Sequence, residues 1–275
     1  MVLFRGECEK AFEPLAIPDM RIVARQLRGP RIDANLSVTW SMPEAPLRLN
    51  KNDVHVWRAS IDVSPEVQSS LACLLDGGEK RRANQFVFER DRNHFIAAHG
   101  IVRTILGEYL QRPPEELQVT VERYGKPALR KEPGCSDVRF NLSHSGGVAL
   151  LAVALENEVG IDLEKIRSGV ADEVLAASIL TPSEQDEFRS TPIGERQREF
   201  FRRWTCKEAY VKAQGGGLQI PLKSFEVSLP PEEFPRLCCE ANDSWDLVSF
   251  CPGENFMAAL AIQAKNSEVR FWNWS

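Results

Sequence analysis

The stretch that organises this chain is Phe201–Gln214, with the sequence FRRWTCKEAYVKAQ, followed directly by Gly215-Gly216-Gly217. Apolar side chains recur in it at helical spacing, which predicts the last turns of a helix that ends at the glycines. Trp204, Glu208 and Lys212 stand four residues apart and therefore share one face of that helix. Two interpretations are open for this face: a surface Glu–Lys pair over a core tryptophan, or part of a metal and phosphate site.

Composition restricts the class of protein. The chain has 275 residues, of which 43% are hydrophobic and 27% charged, and its formal charge is −5. These values are typical of a soluble globular enzyme, and the acidic balance argues against nucleic acid as a partner. We expect no membrane span, because no apolar run is long enough.

The cysteines and the N-terminus bear on the compartment. Cysteine occurs 7 times without Cys-x-x-Cys spacing, which favours free thiols and not a disulfide framework or a zinc site. The N-terminus has no apolar region of the kind found in secretory signals. We therefore expect a cytoplasmic protein.

The order of predicted elements indicates an α+β fold. Residues 1–52 show weak periodicity and are interpreted as an N-terminal extension. A strand, then helices, then several strands occur twice, and the second series starts near residue 157. This order predicts two similar halves, an N-terminal half over residues 53–156 and a C-terminal half over residues 157–275.

Three predicted strands follow one another in the middle of the chain. They cover Val138–His144, the nearly continuous apolar run Val148–Leu155, and Val159–Ile166. Gly146-Gly147 allows a tight turn between the first two. Because the connections are short, the sequence predicts that the three strands form one meander.

Two of these strands carry candidate site residues. Asp162 and Glu164 stand two residues apart, so their carboxylates share one strand face and repel each other unless a cation lies between them. A hard divalent ion is one interpretation and a solvent-facing acidic pair is the other. Ser143 and His144 are strand neighbours that point to opposite faces, which argues against a Ser–His dyad. His144 is a candidate for donating a hydrogen bond to a phosphate.

Basic residues precede the first long predicted helix. Lys80, Arg81 and Arg82 cluster there, with Arg90 and Arg92 shortly after. They can form a solvated helix face or bind a multiply charged anion. Farther along, the turn Tyr124–Pro127 presents Lys126 from a rigid frame.

Taken together, the chain resembles the surfactin-type 4′-phosphopantetheinyl transferases, the larger class of holo-acyl-carrier-protein synthases. The resemblance rests on sequence blocks that occur in the family's order over about residues 70 to 228. The blocks are Tyr124-Gly125-Lys126-Pro127, Phe140–Gly146, Gly160–Glu164, and Trp204–Ala209 with Lys212 and Gly217-Leu218.

This resemblance implies two pseudo-symmetric halves, with coenzyme A bound between them and the metal ligands in the C-terminal half. It implies transfer of 4′-phosphopantetheine from coenzyme A to a serine of an apo acyl or peptidyl carrier protein. Mg²⁺ would be required, adenosine 3′,5′-bisphosphate would be released, and the enzyme would be a monomer. Such a transferase would serve fatty-acid, polyketide or nonribosomal-peptide biosynthesis, or a lysine pathway.

The resemblance also implies roles for individual residues. The metal ligands would be Asp162, Glu164 and Glu208, and catalysis would depend on Asp162, Glu208 and Lys212. The contacts to coenzyme A would come from basic and hydroxyl side chains, namely Arg82, Lys126, Ser143, His144 and Lys212.

Three other functions compete with this one. An inactive relative could bind coenzyme A or a carrier protein without transfer. Another Mg²⁺-dependent enzyme could act on a nucleotide pyrophosphate, and it would need no carrier protein. A purely structural protein would leave the shared-face carboxylates and Lys126 without a role.

Overall fold

A computed structural model of the protein describes residues 36–43, 47–131, 137–167, 169, 173–230, 234–238, 244–264 and 267–275. Its helices are α1 Pro65–Leu74, α2 Gly77–Ala83, α3 Glu89–Leu110, α4 Glu173–Ile179, α5 Pro182–Ser190 and α6 Arg196–Gln214. Its strands are β1 Asp53–Ser60, β2 Val119–Val121, β3 Pro127–Leu129, β4 Val138–Ser145, β5 Val148–Leu155, β6 Val159–Lys165, β7 Glu226–Ser228, β8 Arg236–Cys238, β9 Asp246–Phe250, β10 Phe256–Ile262 and β11 Glu268–Asn273. The expected α+β class is confirmed.

Two main sheets organise the fold. The first has the strand order β11-β1-β5-β4, and the second has the order β6-β10-β9. Two short hairpins, β2-β3 and β7-β8, lie outside them. Within the first sheet β11 runs parallel to β1, and the other pairs in both sheets are antiparallel.

Alternation along the strands divides the core into layers. One face of each sheet packs against the other sheet, with Val54 and Leu150 from the first meeting Ile161 and Leu260 from the second. The opposite face of the first sheet packs on α3, and the opposite face of the second packs on α6. The order of layers is therefore helix, sheet, sheet, helix.

The predicted meander is wrong. β5 hydrogen-bonds to β4 on one side and to β1 on the other, so neither of its edges is open to the next strand. β6 instead pairs with β10 and begins the second sheet. Short connections favoured a hairpin, but the distant β1 takes the edge that the hairpin would need.

The local signals for helix ends are confirmed. Thr181 caps α5 in a capping box with Glu184, with Pro182 at the first helical position. α6 ends at Gly215, whose φ of 67° is the left-handed conformation that glycine adopts without strain. These ends depend only on residues close in sequence, which is why the pattern predicted them.

The described part of the expected extension contacts both sheets. Ser37 and Ser41 form isolated bridges with Cys251 and Trp272, and Trp40 packs its ring edge-on against Phe271. Residues 1–35 of the extension lie outside the described residues. Because β11 joins the first sheet, the last strand of the chain packs with the N-terminal elements. The division of the chain near residue 157 stays a prediction.

Two further points concern the chain as a whole. Among the described residues, no helix has both the length and the apolar composition that crossing a membrane requires. Of the described cysteines, Cys73, Cys206 and Cys238 are free thiols.

Candidate active site

The two sheets meet along the edges of β4 and β6, and polar side chains of β4 join them. Asn141 Oδ1 accepts a hydrogen bond from the Ile161 amide at 2.8 Å. Ser143 Oγ accepts from the Leu163 amide at 3.2 Å, and Ser145 Oγ accepts from the Lys165 amide at 3.1 Å. At this seam, three alternate side chains of β4 accept the hydrogen bonds that backbone carbonyls would accept in a continuous sheet. They hold β4 next to β6, the two strands that carry candidate site residues.

Strand alternation then separates the neighbours Ser143 and His144, as predicted. Ser143 lies on the seam side of β4 and is buried, whereas His144 lies on the side that faces α3 and is exposed. The two residues serve different surfaces, and the structure contains no Ser143–His144 dyad.

Asp162 is the centre of the cluster at the seam. Its side chain is buried, and Lys212 Nζ lies 2.5 Å from its Oδ1 atom. Lys212 Nζ also donates to Ser143 Oγ at 3.0 Å, and Ser143 Oγ donates to Asp162 Oδ1 at 3.2 Å. A carboxylate, an ammonium and a hydroxyl from β6, α6 and β4 thus form a closed set of contacts.

Gly160 allows α6 to approach β6 closely enough for these contacts. A Cβ atom at Gly160 would lie 2.1 Å from the Ala209 carbonyl oxygen and 2.3 Å from the Ala213 nitrogen. These are backbone atoms, which cannot move aside as a side chain can. A glycine two residues before Asp162 is therefore what lets Lys212 reach the carboxylate.

Lys207 fixes the rotation of α6. Its buried ammonium donates to the carbonyl oxygens of Leu222 and Phe225 at 2.7 and 2.6 Å and lies 2.8 Å from Glu184 Oε2. Glu184 Oε1 also accepts the Val227 amide at 2.8 Å. With Lys207 held on the buried side, its neighbour Glu208 lies on the side of α6 that faces the seam.

Two further carboxylates lie near Asp162. Burial and then the charge of Asp162 raise the pKa of Glu164, although Ser145, which donates to Glu164 Oε2 at 3.3 Å, lowers it in part. Burial and the charge of Asp162 likewise raise the pKa of Glu208, and Lys212 and a hydrogen bond from Trp204 oppose this. The carboxylates are therefore close enough to disfavour one another's charged forms.

Whether these residues suit a divalent cation can be tested on the carboxylates themselves. Asp162 Oδ2 is buried and has no hydrogen-bond partner, and carboxylate oxygens are the donors that Mg²⁺ prefers. In their present positions, however, no three Asp, Glu, His or Cys side chains of the described residues converge as a metal site. The donor chemistry fits Mg²⁺, and Asp162, Glu164 and Glu208 as its ligands stay a prediction.

His144 connects the seam to α3. Although His144 is an exposed residue, the partial loss of hydration around its ring lowers its pKa, and the nearby His94, His99 and Lys212 lower it further, while Asp91 opposes them. His94 pairs with Asp62 at 2.7 Å. The imidazole is therefore close enough to Lys212 and to the first turns of α3 to be affected by their charges.

Arg82 is linked to the same region through an aromatic stack. Its exposed guanidinium lies 5.6 Å from the ring centroid of Phe95, and Phe95 stacks on His99 at 4.0 Å. His99 in turn acts on the pKa of His144. Arg82 therefore lies beside the aromatic stack of Phe95 and His99 on α3, and the contacts of Arg82 and His144 with coenzyme A stay a prediction.

Lys126 is not brought to the cluster around Asp162. Its ammonium donates to Glu158 Oε2 at 2.6 Å and to the Ala213 carbonyl at 2.8 Å, near the end of α6. Its side chain is only 8% exposed. In this structure Lys126 ties the β2-β3 hairpin to α6, and its predicted contact with coenzyme A stays untested.

Sequence reasoning missed several residues that build this site. Asn141 and Ser145 were not predicted as site residues. A signal for them exists, because Asn141, Ser143 and Ser145 are alternate residues of one strand and therefore place three polar side chains on the same face. Lys207 was not singled out either, and no local pattern identifies its carbonyl partners, because they come from the segment after α6.

Comparison with known proteins identifies the family of the chain. A family model described as the 4′-phosphopantetheinyl transferase superfamily matches residues 158–261, and one described as 4′-phosphopantetheinyl transferase, N-terminal, matches residues 57–156. The boundary between the two matches falls between β5 and β6.

Individual relatives give the same result. The 4′-phosphopantetheinyl transferase HetI of a Nostoc species is 39% identical over 240 residues, which cover 87% of this chain and 100% of HetI. A 4′-phosphopantetheinyl transferase of Bacillus subtilis is 31% identical over 59% of this chain and 70% of its own. Among solved structures, the holo-[acyl-carrier-protein] synthase of Thermotoga maritima matches 39% of this chain and 62% of its own, with 25% identity and a TM-score of 0.32. On the strength of the sequence relatives, the chain belongs to the 4′-phosphopantetheinyl transferase superfamily.

Proposed function

We propose that the protein transfers the 4′-phosphopantetheine group of coenzyme A to a serine hydroxyl of an apo acyl or peptidyl carrier protein. The observation that carries this proposal is the cluster of Asp162, Lys212 and Ser143 at the seam, flanked by Glu164 and Glu208. Such a concentration of buried charge suits a reaction that consists mainly of positioning phosphates and stabilising their charge.

The reaction divides among these residues as follows. The serine oxygen of the carrier protein forms a bond to the β-phosphorus, and the bond from that phosphorus to the oxygen of the leaving adenosine 3′,5′-bisphosphate breaks. Glu208 accepts the serine proton, directly or through a water, a role that suits a carboxylate whose pKa is raised. Lys212 stabilises the charge that builds on the pyrophosphate oxygens.

Coenzyme A and a metal ion are the groups this chain would hold. Ser143, His144 and Arg82 would contact the phosphates of coenzyme A, and Lys126 would lie near its adenine end. Mg²⁺ held by Asp162, Glu164 and Glu208 would neutralise charge on the pyrophosphate. Because Lys212 neutralises Asp162 in this structure, a cation on that carboxylate would leave the lysine available to the phosphates.

The direct test is the intact mass of an apo carrier protein after incubation with this protein, coenzyme A and Mg²⁺. We expect the mass to rise by one phosphopantetheine group and the rise to vanish with EDTA. Asp162→Asn should lower the rate on the order of a hundredfold or more with a normal melting temperature. The matched control is Asp186→Asn, at an exposed carboxylate on α5, which should transfer normally.

An inactive binding module is the second candidate. It is favoured by one observation, which is that the Lys212 ammonium already pairs with Asp162, the carboxylate expected to hold the metal ion. Coenzyme A that raises the melting temperature without any mass gain across several carrier proteins would support it. Neither binding nor transfer would contradict both candidates.

Two further expectations accompany the proposal. A single chain supplies β4, β6 and α6, so we expect the active form to be a monomer. Free cysteines and an acidic composition suit the cytoplasm, where we expect the protein to act.

A further inference from the structure

The loop between α2 and α3 carries three exposed apolar side chains in a row. Phe86 is 38% exposed, Val87 90% and Phe88 70%. In the described part of the chain, the other large apolar residues that are exposed stand singly. Isolated exposed apolar residues are ordinary, whereas a contiguous group commonly marks a binding surface. We call Phe86, Val87 and Phe88 the α2–α3 apolar surface.

The fold does not account for the exposed members of this surface. Phe86 packs on Phe95 with ring centroids 5.4 Å apart, which anchors the loop. Phe88 is the N-cap of α3, and its side chain makes no capping hydrogen bond. Ser, Thr, Asp or Asn at such a position typically stabilises a helix by about 1 kcal/mol. An exposed phenylalanine here therefore costs stability that a polar residue would supply.

Basic side chains outnumber acidic ones in the segments that flank this surface. Lys80, Arg81 and Arg82 on α2 and Arg90 on α3 are exposed, in a chain whose formal charge is −5. Of the acidic residues in the same region, Glu79 is paired with Arg103 at 2.6 Å, and the exposed Glu89 and Asp91 are fewer than the four basic side chains. The combination of aromatic and arginine side chains is typical of protein interfaces, and its charge fits an acidic partner.

The surface also lies beside the candidate active site. His94, near the start of α3, pairs with Asp62 at 2.7 Å, and the Asp62 carboxylate occupies the space beside Gly147, in the turn that follows β4. His144 follows Ser143, which contacts Lys212 and Asp162. A protein bound on Val87 and Phe88 would therefore stand at the edge of the region where the phosphates of coenzyme A are expected.

We propose that the α2–α3 apolar surface, with Arg81 and Arg90 beside it, is the docking site for the acidic carrier protein. This inference rests on the proposed function. The carrier protein would contact Val87 and Phe88 with an apolar side chain and the arginines with carboxylates. Its serine would then face the seam between β4 and β6.

Phe88→Asp tests the proposal without endangering the fold. Aspartate is a favoured N-cap residue, so we expect an equal or higher melting temperature. The lost ring and the added negative charge should raise the KM for the apo carrier protein on the order of tenfold or more. The KM for coenzyme A should not change. Arg90→Glu should raise the carrier KM as well, and wild-type KM should increase with salt.

Val174→Ser and Ile193→Ser are the matched controls. These residues are 80% and 82% exposed, on α4 and before α6, and their substitution should leave the carrier KM unchanged. An unchanged carrier KM in Phe88→Asp with transfer intact would overturn the proposal. A dimer that Phe88→Asp converts to a monomer without altering KM would assign the surface to a second copy. A lower melting temperature with unchanged KM would mean that the chain itself covers the surface.

The docking proposal and the proposed function can fail separately. If wild-type protein transfers nothing to any carrier protein, the proposed reaction fails. Calorimetric titration with the apo carrier protein then decides docking, because affinity lost in Phe88→Asp supports it and equal affinity contradicts it.

Discussion

At the scale of single residues, Lys126 shows how one side chain can be chemically suited to two roles. A lysine in a rigid turn is a reasonable phosphate or adenine-end contact. In the structure its ammonium instead contacts Glu158 and the Ala213 carbonyl, and it is nearly buried. The two roles make different predictions about what is lost when the ammonium is removed.

We expect Lys126→Ala to lower the free energy of unfolding by roughly 1–3 kcal/mol, because it leaves a carboxylate and a carbonyl near the end of α6 without their donor. Urea unfolding measures this. Lys131→Ala, which removes an exposed lysine paired with Asp137, is the control and should have little effect. Normal stability with a raised KM for coenzyme A would instead favour the role that the sequence predicts.

His55 makes a residue-scale prediction about pH. It is 2% exposed, and burial lowers its pKa to about 4, with Arg270 adding to the effect and Asp53 opposing it. Its Nδ1 lies 2.6 Å from the Tyr109 hydroxyl, which accepts the Trp57 indole N–H. The Tyr109 hydroxyl therefore donates to a neutral imidazole.

The sign of the pH effect follows from this depressed pKa. As pH falls below about 6.5, the unfolded state binds a proton that the folded state excludes until about pH 4, so stability is lost in that window. We expect wild-type protein to lose about 2 kcal/mol more between pH 7 and pH 5 than His55→Gln, which keeps an acceptor but cannot titrate. Urea titrations at both pH values measure the difference, and equal losses would contradict the buried neutral histidine.

At the scale of elements, the packing of α6 on β6 decides whether the site exists. Local pattern alone predicts the helix, its glycine end and the shared face of Trp204, Glu208 and Lys212. The distance between α6 and β6 depends on Gly160, where the backbone of the helix occupies the space of a side chain.

Gly160→Ala should therefore push α6 away from β6. We expect a loss of roughly 1–3 kcal/mol in stability or more, because the added methyl meets backbone atoms, and a lower kcat because Glu208 and Lys212 move away from the strand that carries Asp162. Thermal melting and the transfer assay measure the two effects. Gly194→Ala is the control, since a Cβ there would have no heavy atom within 4 Å. A fully active, stable Gly160→Ala variant would show that the contact is not required.

At the scale of the whole molecule, the seam between β4 and β6 joins the two sheets through side chains. Asn141 is buried there and satisfies the amide of Ile161, the residue before Asp162. A seam built in this way couples stability to activity, because the groups that hold the sheets together also position the carboxylate.

We expect Asn141→Ala to lower the melting temperature and the transfer rate together. It leaves the buried Ile161 amide without an acceptor, which costs about 1–3 kcal/mol, and it loosens the strand that carries Asp162. Asn157→Ala removes an exposed amide that donates to the Lys51 carbonyl and is the matched control. A variant that melts early but transfers at the normal rate would separate the seam from catalysis.

The sequence by itself determined the local features of this protein. Helix α6 and its end, the capping box of α5, the shared face of Asp162 and Glu164, and the opposite faces of Ser143 and His144 all follow from residues close in the chain. Periodicity and capping encode such features because their interactions span only a few residues. The order of the motifs also sufficed to indicate the family.

Only the tertiary structure decided which distant elements meet. β1 occupies the edge of β5 that a meander would need, and β11 joins the first sheet. Lys126 donates a hydrogen bond to the Ala213 carbonyl near the end of α6. The seam and the contacts of Lys207 likewise join segments far apart in sequence. Such pairings depend on competition among all strand edges and buried polar groups for partners, and no local pattern records the outcome of that competition.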